Sequence, residues 1–316
     1  MKKLLYVVHR YAPFPGGSEN YVRDLAEESY RQGHDVTVFT GQHKGDLNGV
    51  KVTSDPSILN LDFDLIIVHG GDVGIQNYVL QNVNKIKTPI LYLLILPSKS
   101  DICLNALKEV KYIGCSTQED WEHIKKYNVL EKGVQISHSI NPNISIGING
   151  FKEKFSIKTS KMFLSSGGFW SHKGMEELCD LFNRLPIKDT TLVLTGYQNP
   201  HLKPKENEKV KVLLLEDRQD VLNAIKESDL YILNSHEEGF GLVLLESMCN
   251  KTAWIARNIA GAKLMKDYGH VYEQPRELMK YLVNFKKDEE KINVSYKYFL
   301  KNHTIDITVK QIVGIL

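Results

Sequence analysis

Short apolar runs alternate with helix-length segments from one end of this chain to the other, and that alternation restricts the fold more than any other feature. The run Leu65-Ile66-Ile67-Val68 is representative. It is apolar at successive residues rather than at every second one, so a strand made of it must be covered on both faces. Strands are expected near residues 4–9, 35–40, 50–53, 65–69, 90–96, 112–115 and 134–138, with helices near 19–32, 73–85, 102–108 and 118–127. Strands separated by helices argue for a parallel sheet layered on both sides, an α/β class.

The alternation stops once. Residues 139–158 hold Asn141-Pro142-Asn143, Gly147 and Asn149-Gly150 with little periodicity, after which strand and helix patterns resume. Strands are expected near 162–165, 191–195, 210–215, 230–234, 252–256 and 271–272, and helices near 175–184 and 221–227, with helical patterns from about 275 to 316. The division drawn from this is a first domain at 1–145, a linker at 146–160 and a second domain at 161–316, whose last helix can pack back on the first domain. Two Rossmann-like doubly wound domains facing each other across a cleft is the expected architecture.

With 316 residues, 42% of them hydrophobic and 25% charged, the chain can build two full cores. A formal net charge of +2, balanced along the chain, argues against a nucleic-acid-binding surface. Cys103, Cys115, Cys179 and Cys249 are widely spaced, as expected of reduced buried thiols in a cytoplasmic protein. The apolar start at Leu4 meets His9 and Arg10 without a cleavage site, so it reads as a first strand rather than a signal peptide. No segment approaches the roughly 20 apolar residues that span a bilayer.

Three strand-to-helix loops carry the chemistry. The segment Ser235-His236-Glu237-Glu238-Gly239-Phe240-Gly241 follows an apolar strand and opens a buried helix containing Glu246. Glycines let backbone approach a ligand, free amides at a helix start attract phosphate, and carboxylates suit hydroxyl groups. A ligand with both phosphate and sugar hydroxyls, such as a nucleotide-sugar, fits. In Ser166-Gly167-Gly168-Phe169-Trp170-Ser171-His172-Lys173-Gly174 a lysine stands just before a helix, where its ammonium can neutralise a diphosphate. The first loop, Pro13-Phe14-Pro15-Gly16-Gly17-Ser18-Glu19, places a glycine pair before a helix but lacks dinucleotide-binding spacing.

These residues, in this order and with Gly33-His34-Asp35-Val36 leading into the second strand, resemble the retaining GT-B nucleotide-sugar glycosyltransferases of the group 1, family 4 type. Their signature is a Glu-x7-Glu spacing, matched here by Glu238 and Glu246. The resemblance implies that Glu238 faces the donor sugar, Glu246 holds the ribose diol, and Lys173 binds the diphosphate. It further implies that Gly239, Phe240 and Gly241 line the phosphates, that Gly168 belongs to the donor loop, and that Gly16 and Gly17 border the place where acceptor and donor meet. His69 matches a strand-end histidine that contacts donor sugar in such enzymes; a structural histidine is the equal alternative. Three departures stand out: Phe169 replaces an arginine, Ile95-Leu96-Pro97 lacks a strand-end histidine, and residues 258–263 lack a Gly-Gly-Glu pattern. His172 or Arg218 are the candidates for the missing charge.

The implied reaction moves a glycosyl group from a nucleoside diphosphate sugar to an acceptor hydroxyl with retention and without a metal, since Asp62-Phe63-Asp64 reads as a turn before a strand. No cofactor is expected beyond the nucleotide-sugar co-substrate. The acceptor stays open among a glycan, a lipid-linked or another hydroxyl compound. A cytoplasmic location is expected, with peripheral contact at the inner membrane face left open. Two alternatives remain: a nucleotide-sugar epimerase of the same fold, and a non-catalytic nucleotide-sugar-binding subunit.

Overall fold

A computed structural model describes residues 1–14, 16–42, 45–70, 73–96, 100–196, 204–215 and 217–316. It divides into two compact units, one made of Met1–Asn141 with Asn302–Leu316 and the other of Pro142–Lys301.

The first unit is built on an eight-stranded sheet. Its strands are β1 (Lys3–Val7), β2 (Asp35–Phe39), β3 (Gly45–Leu47), β4 (Val50–Thr53), β5 (Leu65–His69), β6 (Ile90–Leu93), β7 (Tyr112–Cys115) and β8 (Gly133–Gln135). They lie in the order β3-β4-β2-β1-β5-β6-β7-β8, parallel throughout except for the β3–β4 edge pair. Helices α1 (Gly17–Arg31), α2 (Gly74–Gln81), α3 (Asp101–Glu109) and α4 (Gln118–Lys126) connect them. The continuous apolar runs are fully buried, as two-sided cover requires: Leu65, Ile66, Ile67 and Val68 show no solvent exposure. Asp64 accepts from the Lys3 amide, so the Asp62-Phe63-Asp64 turn sets the start of β5 beside β1.

The second unit repeats the plan with six parallel strands in the order β11-β10-β9-β12-β13-β14. They are β9 (Lys161–Ser166), β10 (Thr190–Thr195), β11 (Val210–Leu213), β12 (Leu230–Leu233), β13 (Ala253–Arg257) and β14 (His270–Tyr272). The helices are α5 (Phe151–Lys154), α6 (Met175–Asn183), α7 (Arg218–Glu227), α8 (Leu242–Cys249), α9 (Ala260–Leu264), α10 (Pro275–Val283) and α11 (Glu289–Asn302). The chain then returns to the first unit as α12 (Ile305–Gly314). There α12 packs on α1, Thr308 donates to the Ser137 carbonyl, and Gln311 accepts from the Ser137 amide.

Several boundaries differ from the sequence expectation. The division falls between Asn141 and Pro142, and the segment 146–160 belongs to the second unit instead of forming a free linker. Its backbone amides are tied down by side chains there: Gly147 to Asn250, Ile148 to Asn223, and Lys152 to Glu227. Lack of periodicity marks irregular backbone, which side chains can hold as firmly as a helix would. α1 begins at Gly17, and α7 begins at Arg218 because Asp217 caps it by accepting from the Gln219 amide. All four cysteines are buried and free; burial pushes the Cys115 and Cys249 thiols up to about 12. Among the described residues no helix is long and apolar enough to cross a membrane.

Candidate active site

In the second unit, adjacent parallel strands β9 and β12 end in the two loops singled out above. From the β9 loop, Lys173 reaches across to Glu238 on the β12 loop, with Nζ to Oε1 at 2.6 Å. The Ser235 hydroxyl donates to the same carboxylate oxygen at 2.8 Å. The loops are further joined where the His236 amide donates to the His172 carbonyl at 2.7 Å. Both side chains of the ion pair keep access to solvent, Lys173 at 21% and Glu238 at 16%, so neither charge is committed to a sealed interior.

Gly241 ends the loop in the left-handed region, at φ 90°, and is the residue from which α8 starts. A glycine is what that conformation favours, and it turns the chain so that the first α8 amides follow directly on the loop. Phe240 is buried, while Gly239 is half-buried beside Glu238. One turn into α8, Glu246 is paired with Arg218 of α7, Nη2 to Oε1 at 2.8 Å. Gly168 is buried.

The departure at Phe169 has a structural answer. Its ring is buried in the unit's core with Met175 and Leu178, so this position supplies packing and no charge. Of the two candidate replacements, Arg218 stands against Glu246, and His172 is an exposed side chain whose backbone holds the neighbouring loop. A cavity of about 200 Å³ beside this region is lined by residues including Trp170, Gly174, Glu177 and His236.

The sequence reading passed over a network behind the loops. Buried Asn234 donates from Nδ2 to the Gly174 carbonyl at 2.6 Å and to Glu177 Oε2 at 3.2 Å. Arg257, at the end of β13, donates to Glu177 Oε2 at 2.7 Å and to Asn234 Oδ1 at 3.1 Å. The Tyr272 hydroxyl also donates to Asn234 Oδ1. A signal was present: polar Asn234 directly follows the apolar run 230–233, a position where burial demands partners.

In the first unit, His69 ends β5 with its ring buried against Tyr21, centroids 4.9 Å apart. Its carbonyl accepts from Gln76 at 3.0 Å, and its Nδ1 has no hydrogen-bond partner among the described residues. Burial depresses its pKa to about 4, so the imidazole is neutral at pH 7. Gly16 is extended backbone, and a Cβ there would meet the Glu19 carboxylate, which also pairs with Arg10 at 3.0 Å. The space at Gly16 thus already faces an anion; Gly17 opens on empty space. Pro15 and Pro97 lie outside the described residues. Among the described residues no group of three or more His, Cys, Asp or Glu could hold a metal ion.

Residues 149–301 match the model of the glycosyl transferases group 1 family, almost the full extent of the second unit. Among curated proteins, the probable sucrose-phosphate synthase of Thermosipho melanesiensis is 23% identical over 236 residues, 67% of this chain and 55% of that protein. The chain therefore spans about half the length of the curated relative that it matches. Among solved structures, sucrose-phosphate synthase from Thermosynechococcus elongatus is similar at a TM-score of 0.81 and 13% identity, covering 100% of this chain and 98% of that one. Anabaena HepE in complex with UDP-glucose is similar at a TM-score of 0.77 and 15% identity, with both chains fully covered. The fold is therefore GT-B, and Lys173, Glu238 and Glu246 all lie inside the stretch that matches the group 1 model.

Proposed function

We propose that this protein is a retaining, metal-independent glycosyltransferase that uses a nucleoside diphosphate sugar, with UDP-glucose the first donor to test. The observation that carries the reading is the Lys173–Glu238 pair, a cation and a carboxylate held 2.6 Å apart on neighbouring strand-end loops beside the start of α8. The group 1 family match and the UDP-glucose held by the similar HepE fold support the choice of donor.

In the proposed cycle, the donor diphosphate takes over Lys173 as partner, and Glu238 turns to the sugar hydroxyls. The bond between the anomeric carbon and the diphosphate oxygen breaks. The acceptor oxygen bonds to that carbon from the same face, and its proton passes to the departing diphosphate. Lys173 and the α8 amides stabilise the negative charge that builds on the leaving group, so their effect is greatest in the transition state. Glu238 stabilises positive charge on the ring. Glu246, with Arg218 already on one of its oxygens, presents the other to the ribose diol. Positive potential from Lys173 and the loop amides stands where other transferases place a metal.

The test is NMR of the product formed in excess chelator. The expected result is a product with the donor's anomeric configuration. An inverted anomer would overturn the retaining assignment, and loss of turnover on chelation would overturn metal independence. Release of nucleoside diphosphate with an altered free sugar and no acceptor requirement would favour an epimerase instead.

A further inference from the structure

We infer that Glu177 is a positioning residue for the proposed reaction: through Asn234 and Arg257 it fixes the two loops that carry Lys173 and Glu238. The inference rests on the donor-site reading above.

Asn234 occupies the position where the two loops can be held together. It directly precedes Ser235, whose hydroxyl binds Glu238, and its amide nitrogen binds the carbonyl of Gly174, the residue directly after Lys173. Gly174 sits in the left-handed region at φ 64°, and a Cβ there would come within 2.5 Å of the Asn234 carbonyl. Only glycine allows this approach. The side chain of Asn234 is in turn orientated by what surrounds it. Its carbonyl oxygen accepts from Arg257 and Tyr272, which leaves its nitrogen directed at Gly174 and Glu177.

Glu177 closes the network. Its Oε2 receives two donors, Arg257 at 2.7 Å and Asn234 at 3.2 Å, and His236 Nε2 lies 3.1 Å from it. The two donors come from the ends of β13 and β12 and the neighbouring imidazole from the Glu238 loop itself, whereas Glu177 stands in the first turn of α6. Charged hydrogen bonds at a partly buried site hold geometry more firmly than neutral ones. Removing the carboxylate leaves Arg257 without its counter-ion and frees both His236 and the Asn234 nitrogen from one anchor. The fork of Arg257 matters as well, since Nε binds the Asn234 carbonyl while Nη2 binds Glu177, a pair of directions that lysine cannot reproduce.

Two measurements on the full chain test this. The first is amide hydrogen exchange in the ligand-free protein for wild type, Glu177→Ala and Glu177→Gln. Exchange at residues 235–238 should rise at least about tenfold in Glu177→Ala, with α6 amides 178–182 unchanged and Glu177→Gln intermediate, because its oxygen still accepts. Unchanged exchange at 235–238, or loosening confined to α6, would overturn the inference. The second is calorimetry with UDP and with UDP-glucose. Wild type should bind UDP-glucose more tightly than UDP, and that ratio should fall toward one in Glu177→Ala while UDP affinity holds. Adding Glu177→Ala to Glu238→Ala should lower the ratio no further. Additive effects, or a preserved ratio in Glu177→Ala, would contradict the positioning role. If wild type bound neither compound, the donor reading would fall, and the exchange measurement would still decide whether Glu177 orders the loop.

Discussion

The two units share one plan, a parallel sheet with loops at the strand ends, yet they equip those loops differently. In the second unit the strand-end loops hold charges in pairs, Lys173 with Glu238 and, close by, Arg218 with Glu246. In the first unit Arg10 of the β1 loop pairs with Glu19, and the end of β5 holds His69, sealed against Tyr21, with half-buried His138 and buried His303 as further imidazoles. Burial holds His69 near 4 and His138 near 3, and it lowers His303 as well. A charged pair that water can reach is ready to exchange one partner for a ligand; a buried neutral imidazole is not. In the proposed chemistry the Lys173–Glu238 and Arg218–Glu246 pairs of the second unit carry the charge stabilisation at the donor.

That contrast can be broken in three ways. Lys173→Ala should have the largest effect, lowering turnover by about 100-fold or more, roughly 2.7 kcal/mol of barrier, with little change in thermal stability. Steady-state rates with saturating donor check it. A loss of only about twofold, less than 0.5 kcal/mol, would move the required cation to Arg218 or His172. Glu246→Ala should weaken donor binding by about 1.5–3 kcal/mol, since a charged hydrogen bond to a diol is lost. Calorimetry reads that directly, and an unchanged dissociation constant would remove Glu246 from the ribose role.

The third expected effect concerns acid and falls on stability rather than on turnover. The unfolded chain protonates its histidines near 6.5, whereas folded His69 and His138 stay neutral until far lower pH. The unfolded state therefore binds more protons below 6.5, and stability is lost as pH falls from there toward 4. Hydrogen exchange at pH 7 and pH 5 should show the first unit loosening before the second, and His69→Gln should reduce the difference.

The α/β class and most strands were legible because a strand covered on both faces must be apolar at successive residues, and runs such as 65–68 and 230–233 can be little else. The candidate charged residues were singled out for a different reason: Lys173 and Glu238 each stand beside a glycine or a helix start, where local sequence shows a special backbone, and Glu246 lies one turn into the helix that follows. The Lys173–Glu238 pair itself joins residues 65 positions apart, and no local pattern encodes that distance. The clamp of Glu177, Asn234 and Arg257 was hidden for the same reason, because its members sit on three separate elements. Phe169 shows a further limit. The position where the resemblance has an arginine holds a side chain turned into the core, and only packing reveals it. The segment 146–160 looked like a linker because its backbone partners are side chains distant in sequence, such as Asn250 and Glu227.

The most direct test of the central claim is a calorimetric titration of UDP-glucose into the full chain in excess chelator, repeated with Lys173→Ala and Glu246→Ala. If the paired charges of the second unit hold the donor, wild type binds without a metal and each variant weakens binding by about tenfold or more, about 1.4 kcal/mol. Binding that persists undiminished in both variants would contradict the assignment of the donor site to this unit.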